Sequence, residues 1–457
     1  MKILVTGATG FVGKYVLKEL AYRGHDIVVT TRNPEKAKKN IDLPHDAFKW
    51  DPMTEALPME ALEGVDSVIH LLGENIAAGR WTKTLKDKIY YSRVTGTKNL
   101  VETLNKSSAT TLVSASAVGF YERNVGDKEL TEDSPKGEGW LAKVCHDWEQ
   151  EALAAKEKRT CIFRIGVVLG SDGGAMDKML FPFKMGVGGN LGNGNQWMSW
   201  VHVKDLATML VKAAEDSTYE GFYNATAPHS VTNATFTKTL GRILSRPTLF
   251  PVPSFVLKTL FGDMSTILLD SQKVVPRRLE EKGFKFEFST LPEALEDVCH
   301  KRKLPPGDKK VVHQKLEKAQ WLPDDRKKVF SFFCKPENLE EITPKWMNFK
   351  ILRSSTPEIQ EGTEFDYKLR VRGLPIKWKT IIKKWTPDEE FIDWQKRGPY
   401  ETWYHTHKFT PYKGGTLMED IVYYKVPGGF LGELILGPII KRDIEKIFAY
   451  RKQKIAS

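Results

Sequence analysis

Three glycines near the amino terminus have a spacing that suits phosphate binding. Gly7, Gly10 and Gly13 lie between an apolar run, Lys2–Thr6, and a segment with helical periodicity at 11–23. In such a strand–turn–helix unit, the free N–H groups at the start of the helix attract an anion. The first glycine permits the tight turn, the second lets phosphates approach the backbone, and the third lets the helix pack closely on the strand. The spacing therefore predicts the pyrophosphate site of a bound dinucleotide.

The residues after the second predicted strand, Asp26–Thr31, indicate the kind of dinucleotide. Folds that bind NAD usually place a carboxylate here for the ribose hydroxyls. This chain has Arg32 and Asn33 instead, and a guanidinium suits a 2′-phosphate. We therefore predict NADP(H) as the cofactor, with Thr31 and Arg32 at its adenosine end. The alternative is that Arg32 is an ordinary exposed arginine.

Strand-like segments alternate with helical ones through residues 1–170, which predicts a doubly wound parallel sheet of the Rossmann type. The carboxyl ends of its strands are expected to supply further cofactor contacts. Asp51 follows the strand at 47–50 and could accept a hydrogen bond from the adenine amino group. Gly73 and Glu74 follow the strand at 67–72 and are expected beneath the nicotinamide ribose. The residues predicted to bind the cofactor are Gly7, Thr9, Gly10, Phe11, Val12, Gly13, Thr31, Arg32, Asp51, Leu71, Leu72, Gly73, Glu74 and Ser114.

Several motifs in this part of the chain are similar to those of one protein family. They are TGATGFVG at 6–13, WDP at 50–52, GENIAAGRW at 73–81, SRVTGTKNL at 92–100, SASAVGFY at 114–121, DWE at 147–149, the glycine-rich stretch at 173–207 and QKVVPRRLEEKGFKF at 272–286. They resemble extended short-chain dehydrogenases/reductases and, more narrowly, the epimerase-family proteins of the sugar-nucleotide epimerase/dehydratase group. The resemblance implies an NADP(H)-binding domain at 1–300 with a small substrate lobe, in which 247–295 is the family's carboxyl-terminal segment.

The resemblance also implies catalytic residues, and here the chain departs from the family pattern. The family uses a Ser, and a Tyr followed four residues later by a Lys that lowers the pKa of the phenol. Ser116 matches the Ser position, but Trp140 stands at the Tyr position and Val144 at the Lys position. Lys143 lies one residue before the Lys position, so its side chain is turned by about 100° round the helix from that position. An indole cannot exchange a proton at neutral pH, so the usual hydride-transfer machinery is incomplete.

Three hypotheses for the function remain open. The protein could be an NADP(H)-dependent oxidoreductase or epimerase that acts on a small-molecule substrate with other groups, and Ser116, Tyr121, Lys143 and Glu149 are then the candidates. It could bind NADPH without catalysis, as a sensor, regulator or scaffold of the cell-division-linked type that occurs in this family. The cofactor could also be oxidised and reduced by a substrate whose reaction needs little acid–base catalysis. Tyr121 could equally be a packed aromatic residue, and Glu149 a salt-bridging one.

The last third of the chain has a different pattern. Residues 301–310, KRKLPPGDKK, indicate a linker. Residues 363–372 alternate apolar and polar types, which predicts an antiparallel strand with one buried face. Further strands follow, and then a closing helix at 430–454 with a break or kink expected at Gly437 and Pro438.

This order of elements, and the stretch FSFFCKPENLEEITPKWMNFKI at 330–351, resemble the α+β helix-grip fold of START-like/polyketide-cyclase (SRPBCC) domains. The resemblance implies a START-like domain at 311–457 with an apolar cavity for a hydrophobic ligand, and suggests a lipid-like or aromatic substrate for the fused protein. Six tryptophans are candidates to line the cavity or to fill the core: Trp321, Trp346, Trp378, Trp385, Trp394 and Trp403.

Composition limits the partners and the location. After residue 300 there are 32 Lys and Arg residues against 21 Asp and Glu, so the net charge of +11 lies in this part. These basic residues are spread along the predicted strands, which argues against a nucleic-acid partner. No run approaches the ~20 apolar residues of a membrane span, and the four cysteines are far apart, which favours a cytoplasmic protein with reduced thiols. His405 and His407 lie on one strand face, but we find no further ligand and assign no metal. An oligomer is compatible with the sequence.

Overall fold

The computed structural model describes residues 1–456 and divides into two compact units. The first consists of Met1–Ile41 and His45–Cys299, and the second begins at His300 and includes Asp42–Pro44. Each unit has a seven-stranded sheet of its own. The chain therefore passes from a parallel sheet to an antiparallel one at about residue 300.

Strands and helices alternate through most of the first unit. Its strands are β1 (Lys2–Thr6), β2 (Asp26–Thr31), β3 (Asp46–Lys49), β4 (Ser67–His70), β5 (Thr111–Ala117), β6 (Glu129–Leu130), β7 (Arg159–Ile165), β8 (Val167–Leu169), β9 (Trp197–Met198), β10 (Trp200–His202), β11 (Gly221–Ala225), β12 (Val231–Thr232) and β13 (Lys273–Val274). Its helices are α1 (Phe11–Tyr22), α2 (Pro34–Asn40), α3 (Lys83–Leu104), α4 (Trp140–Leu153), α5 (Ala175–Lys184), α6 (Val203–Glu215), α7 (Asn233–Leu244), α8 (Ser254–Phe261), α9 (Thr266–Leu269), α10 (Arg277–Glu281) and α11 (Leu291–Val298).

Seven of these strands form one parallel sheet in the order β11-β7-β5-β4-β1-β2-β3. Its central strands are continuous apolar runs, as expected where helices cover both faces, and Ile3, Leu4 and Val5 of β1 are completely buried. The strand order reverses between β1 and β4, and ligands of such sheets bind beyond the carboxyl ends of the strands at that point. The prediction of a doubly wound parallel sheet of the Rossmann type is confirmed.

The chain leaves the main sheet at Gly166. Strand β7 lies in the main sheet, whereas β8, which follows it directly, lies in a separate pairing with β10. The N–H of Gly166 bonds the Ala225 carbonyl at 3.1 Å, and a Cβ here would lie 2.6 Å from the Ser199 carbonyl oxygen. This close approach of two backbone segments requires glycine and separates the two strands.

The second unit is built from strands that follow one another with few helices. Its strands are β14 (Lys301–Arg302), β15 (Val311–Val312), β16 (Gln314–Leu322), β17 (Lys350–Ser354), β18 (Glu364–Val371), β19 (Leu374–Thr386), β20 (Glu390–Arg397), β21 (Thr402–Tyr412) and β22 (Gly415–Lys425), and its helices are α12 (Arg326–Phe333), α13 (Pro336–Glu341) and α14 (Gly429–Ala456). Because β14 pairs with β15, the segment predicted as a linker begins within a two-stranded ribbon.

Strands β16 to β22 form an antiparallel sheet in the order β16-β22-β21-β20-β19-β18-β17. Helix α14 packs on it through Ile444 and Phe448, which join a buried cluster with Trp403 and Val422. Helix α14 runs through Gly437 and Pro438 without a break, so that part of the prediction is wrong and a kink there stays a prediction. The lost hydrogen bond lies in an exposed stretch of the helix, where water can replace it. No described helix is both long enough and apolar enough to cross a membrane.

Candidate functional site

The glycine turn between β1 and α1 has backbone geometry that side chains would disrupt. Gly7 has φ +68°, and a Cβ there would lie 2.7 Å from the Leu71 carbonyl oxygen. A Cβ on Gly13 would lie 2.4 Å from the Gly7 carbonyl oxygen. Gly10 is the N-cap of α1 and donates its N–H to the Gly7 carbonyl at 2.9 Å. The first N–H groups of α1 therefore have no capping side chain and can bind an anion.

The side chains around this turn are accessible on one side and packed on the other. Thr9 and Gly10 are exposed, and Val12 is half-buried. The ring of Phe11 lies against the loop before α5, where a Cβ on Gly173 would be 2.5 Å from the ring. Phe11 therefore helps to hold the turn, while its backbone N–H remains at the start of the helix.

The end of β2 leaves one cation without an ion pair. The Thr31 hydroxyl oxygen accepts the Asn33 N–H at 3.2 Å, and the Asn33 side chain caps α2 by accepting the Lys36 N–H at 2.9 Å. Arg32 lies between them and is exposed, and none of the described residues forms an ion pair with it. Its guanidinium is therefore available to a phosphate. Asp51 uses one carboxylate oxygen to accept the Met53 N–H at 3.1 Å, so its other oxygen can face a ligand.

A buried histidine joins the end of β4 to the glycine turn, and the sequence analysis missed it. The two ring nitrogens of His70 lie 2.8 Å from the Thr6 hydroxyl and 2.9 Å from the Thr97 hydroxyl. Burial lowers the pKa of His70 to about 4, so the ring is neutral at physiological pH. Thr6 also accepts the Leu71 N–H at 3.2 Å. These bonds position the half-buried Leu71 and Leu72 beside the turn.

The loop after β4 is held by α3. Arg93 places its guanidinium against Gly73, where a Cβ would lie 3.0 Å from its Cζ, and donates to the Glu74 carbonyl at 3.1 Å. The Ser92 hydroxyl accepts the Glu74 N–H at 2.9 Å. The motif at 92–100 carries both Ser92 and Arg93, but only the fold shows that they meet this loop. Burial lowers the pKa of Arg93.

Ser116 belongs to a buried network with two charged residues. Its hydroxyl donates to Glu149 Oε1 at 2.6 Å. Glu149 accepts two bonds of 2.9 Å from Arg164. Arg164 also donates to the Tyr121 hydroxyl at 2.9 Å, and that hydroxyl donates to Asn224 at 2.7 Å. Arg164 thus has the partner that a buried guanidinium requires.

These contacts favour a structural role for Tyr121 over a catalytic one. The side chain is completely buried, and burial raises its pKa to about 12 despite the nearby Arg164. Its hydroxyl is engaged as both donor and acceptor. At neutral pH it therefore supplies no phenolate. Ser114 is also buried, and its hydroxyl donates to the neighbouring Ala115 carbonyl at 3.2 Å.

Lys143 lies on the exposed side of α4, in a different set of contacts. It pairs with Asp147 one turn along the helix, and Tyr90 of α3 donates to the same carboxylate at 2.7 Å. The bond to Asp147 raises the pKa of Lys143. Among the described residues, no hydrogen bond or ion pair joins Lys143 to Ser116. Tyr90 was missed because its link to α4 depends on the packing of two helices.

The two positions of the missing Tyr and Lys are apolar. Trp140 is the first residue of α4 and packs edge-on against Trp81, with ring centroids 4.8 Å apart. Both rings contact a cluster that includes Ile89 and Met264. Val144 is buried. The place where the family resemblance expects a proton donor is therefore filled by an indole that packs on apolar side chains, with the Lys86 ammonium 5.5 Å from its ring centroid.

A glycine turn at the switch point of a doubly wound parallel sheet defines a dinucleotide-binding protein of the Rossmann class. Comparison with known proteins gives the family. Residues 3–225 match the NAD dependent epimerase/dehydratase family, and residues 252–298 match a domain of unknown function (DUF1731). The chain belongs to the epimerase family, as the motifs predict.

Similar proteins come from distant organisms. An Arabidopsis thaliana protein, "Epimerase family protein SDR39U1 homolog, chloroplastic", is 41% identical over 65% of this chain and 86% of its own length. Bacillus subtilis YfhF, an epimerase family protein, is 37% identical over 66% of this chain and 99% of its own. The structure of human epimerase family protein SDR39U1 with NADPH is 34% identical, with a TM-score of 0.59 over 66% of this chain and 99% of its own. Each match covers about two thirds of this chain.

The second unit contains a cavity of about 200 Å³. It lies between the concave side of the antiparallel sheet and α14, and all four apolar residues of the alternating strand β18 line it: Phe365, Tyr367, Leu369 and Val371. Of the six candidate tryptophans, Trp346, Trp378 and Trp403 line the cavity. Polar groups enter it mainly from β20, β21 and the last turns of α14. A mostly apolar cavity with a few convergent polar groups is typical of a small-molecule site.

Proposed function

We propose that the first unit binds NADP(H), with the pyrophosphate at the start of α1 and the 2′-phosphate on Arg32. The observation that carries this proposal is the glycine turn, whose geometry excludes a side chain at Gly7 and Gly13. The exposed Arg32, in the place where a carboxylate would select NAD, supports the choice of cofactor. The human relative solved with NADPH supports it as well.

Binding isotherms of the full-length protein with NADPH and with NADH test this proposal. Arg32→Ala should weaken NADPH binding and leave NADH binding unchanged, because only NADPH carries the 2′-phosphate. A hydrogen-bonded charge pair contributes about 1.5–3 kcal/mol, which corresponds to roughly a tenfold to hundredfold rise in Kd. Lys36→Ala, an exposed lysine of the adjacent helix, is the control. Equal losses for both nucleotides, or no loss, would refute the assignment of Arg32.

For the reaction, we propose an NADP(H)-dependent oxidoreductase or epimerase-like step on a small molecule with an apolar body. Trp140 and Val144, which stand where the family has its acid–base pair, are apolar and support such a substrate over a sugar nucleotide. Ser116 would then act as part of a fixed buried network, and Arg93 would position the loop at Gly73. Oxidation of NADPH by short aliphatic and aromatic carbonyl compounds is the direct assay.

The second candidate is a regulator or scaffold that binds NADPH without turning it over. It is favoured by the Ser116 hydroxyl, whose proton is directed at Glu149, and by the indole at the Tyr position. The two candidates differ in one measurement. With the carbonyl panel in excess, an enzyme consumes NADPH, whereas a regulator binds it with the same Kd and leaves its absorbance unchanged.

For the second unit, we propose a START-like helix-grip domain, spanning 311–457, that holds or delivers a hydrophobic ligand. The antiparallel sheet, the long helix packed on it and the apolar cavity between them support this proposal. A cytoplasmic location and self-association stay predictions. Transfer of a fluorescent fatty acid or aromatic probe to the full-length protein tests the ligand class.

A further inference from the structure

Three neighbouring strands bring two histidines and two aspartates to one end of the cavity. In the strand register, Asp393 of β20 lies opposite His405 of β21, and His407 of β21 lies opposite Asp420 of β22. His405 and His407 are two residues apart, so both point to the same face of the sheet. Both rings are about 95% buried. Asp393, His405 and His407 line the cavity.

Three of these side chains already have the separations of metal ligands. Asp393 Oδ2 lies 3.3 Å from His405 Nδ1 and 3.0 Å from His407 Nε2, and each of the three residues offers one ligand atom within 4.8 Å of the other two. An ion that holds its ligands at about 2.0–2.1 Å separates adjacent ligand atoms by roughly 2.9 Å in an octahedron and roughly 3.4 Å in a tetrahedron. The observed distances from Asp393 fall in this interval.

The fourth residue, Asp420, lies behind both imidazoles as an outer carboxylate and hydrogen-bonds one of them, His405. Its Oδ1 lies 2.8 Å from His405 Nε2 and 3.0 Å from His407 Nδ1, which are the nitrogens that face away from Asp393. Arg451 of α14 holds the same oxygen at 3.2 Å. A carboxylate behind a ligating histidine fixes the ring and its tautomer. His407 Nδ1 is out of line for a hydrogen bond and, although buried, has no other partner among the described residues.

The charge of the cluster favours a cation. With both imidazoles neutral, the two carboxylates of Asp393 and Asp420 exceed the single guanidinium of Arg451 by one negative charge. Two further neighbours are uncharged, since Phe391 stacks on His407 at 4.2 Å and Phe448 packs against His405 at 5.6 Å. A buried net charge is costly unless it is compensated. Either a bound cation or a proton on one imidazole can compensate it.

We propose that Asp393, His405 and His407 bind a divalent first-row transition-metal ion, such as Zn²⁺ or Fe²⁺, whose remaining coordination positions face the cavity. Two histidines and one carboxylate are a ligand set that such ions use with open positions for a further ligand. A molecule with an oxygen donor and an apolar body fits the rest of the cavity. The site is independent of NADP(H) binding in the first unit and does not require the proposed hydrophobic ligand. A third ligand is not recognisable in the sequence, because Asp393 comes from a neighbouring strand.

Titration of the chelator-treated full-length protein with Co²⁺ tests this site, because Co²⁺ reports its coordination by visible d–d absorption. We expect one equivalent to bind and Zn²⁺ to displace it. Asp393→Asn and His407→Gln should each weaken Co²⁺ binding at least hundredfold. Asp420→Asn should weaken it about tenfold to hundredfold, as outer-ligand changes do. His229→Gln, at an exposed histidine, should have no effect, and far-ultraviolet circular dichroism checks the fold of every variant.

Absence of binding to the wild type would overturn the proposal, and so would folded Asp393→Asn and His407→Gln variants that bind like the wild type. Several weak sites of equal affinity would also overturn it. If the variants do not fold, the wild-type Co²⁺ protein decides by proton NMR. Two hyperfine-shifted, exchangeable imidazole N–H signals support two histidine ligands, and fewer than two refute them. In that case the cluster is a hydrogen-bonded charge network with a protonated imidazole.

Discussion

Replacing Glu149 with Gln should destabilise the first unit strongly, because the carboxylate is the partner of a buried arginine. Arg164 is only 3% exposed, and both of its bonds to Glu149 measure 2.9 Å. The amide of Gln keeps the shape of the side chain and removes its charge. Arg164 would then be left as an uncompensated buried cation, while Ser116 would lose a charged acceptor.

The size of the effect follows from these contacts. Removing one partner of a buried ion pair costs about 3–5 kcal/mol. The guanidinium of Arg164 also lies 3.5 Å from the centroid of the Phe120 ring, and the variant keeps this contact, which favours the lower end of that range. We therefore expect Glu149→Gln to lower the free energy of unfolding by about 3 kcal/mol. The double variant Glu149→Gln/Arg164→Met should lose less than the sum of the two single variants, since neither charge is left alone.

Cysteine labelling during urea unfolding measures this loss in the correct unit. Cys145, Cys161 and Cys299 are buried in the first unit, whereas Cys334 lies in the second. Mass spectrometry of the labelled peptides therefore gives a separate unfolding curve for each unit, and Cys334 should be unaffected. Glu102→Gln, at an exposed position of α3, is the matched control. A loss below about 1 kcal/mol, or strictly additive single variants, would refute the proposed pairing.

Three further predictions concern the glycine turn, His70 and the cavity. Gly13→Ala should abolish NADPH binding, because its Cβ would lie 2.4 Å from a carbonyl oxygen, whereas Gly79→Ala, with open space around it, should not; binding isotherms compare the two. His70 has a folded pKa of about 4 against 6.5 in the unfolded chain, so stability should be full above pH 6.5 and fall by about 3 kcal/mol as the pH drops to 4. Urea unfolding curves of the first unit at several pH values, for the wild type and for His70→Gln, measure this loss of stability. The same pH dependence of the unfolding free energy in both proteins would contradict the prediction. Ile447→Trp should fill the cavity that Ile447 lines and reduce the uptake of a fluorescent hydrophobic probe. Leu374→Trp, at an exposed position, should leave the uptake unchanged.

Local patterns predicted the parts of the fold that local interactions determine. The strands β1 and β2 have the bounds that the apolar runs indicate, and α1 begins at Phe11 directly after the glycine turn, as predicted. The alternation at 363–372 corresponds to β18. In these segments the residues that specify the structure are neighbours in the sequence: the periodic side chains, the glycines and the residues at the strand ends.

Contacts between distant segments could not be predicted in the same way. Ser116 meets Glu149 only because α4 packs beside β5, and Asp393 meets His407 only through the register of two neighbouring strands. Arg93 reaches Gly73 from a separate helix. The sequence identified Ser116 and His407 as residues of interest, but the partner of each decides its role. Register and helix packing depend on the whole core, which a single sequence does not reveal.

The contacts of the catalytic candidates determine what kind of activity the first unit can have. Ser116 directs its proton to Glu149, Tyr121 has a pKa raised to about 12, and Lys143 is exposed and paired with Asp147. The indole N–H of Trp140 can donate a hydrogen bond but does not protonate a substrate at neutral pH. If NADPH is consumed, the proton that completes the reduction must therefore come from water or from the substrate itself. The rate should then lack the bell-shaped pH dependence that a protein acid–base pair produces. A bell-shaped profile with a limb near neutral pH would show that another residue has taken the place of the missing tyrosine.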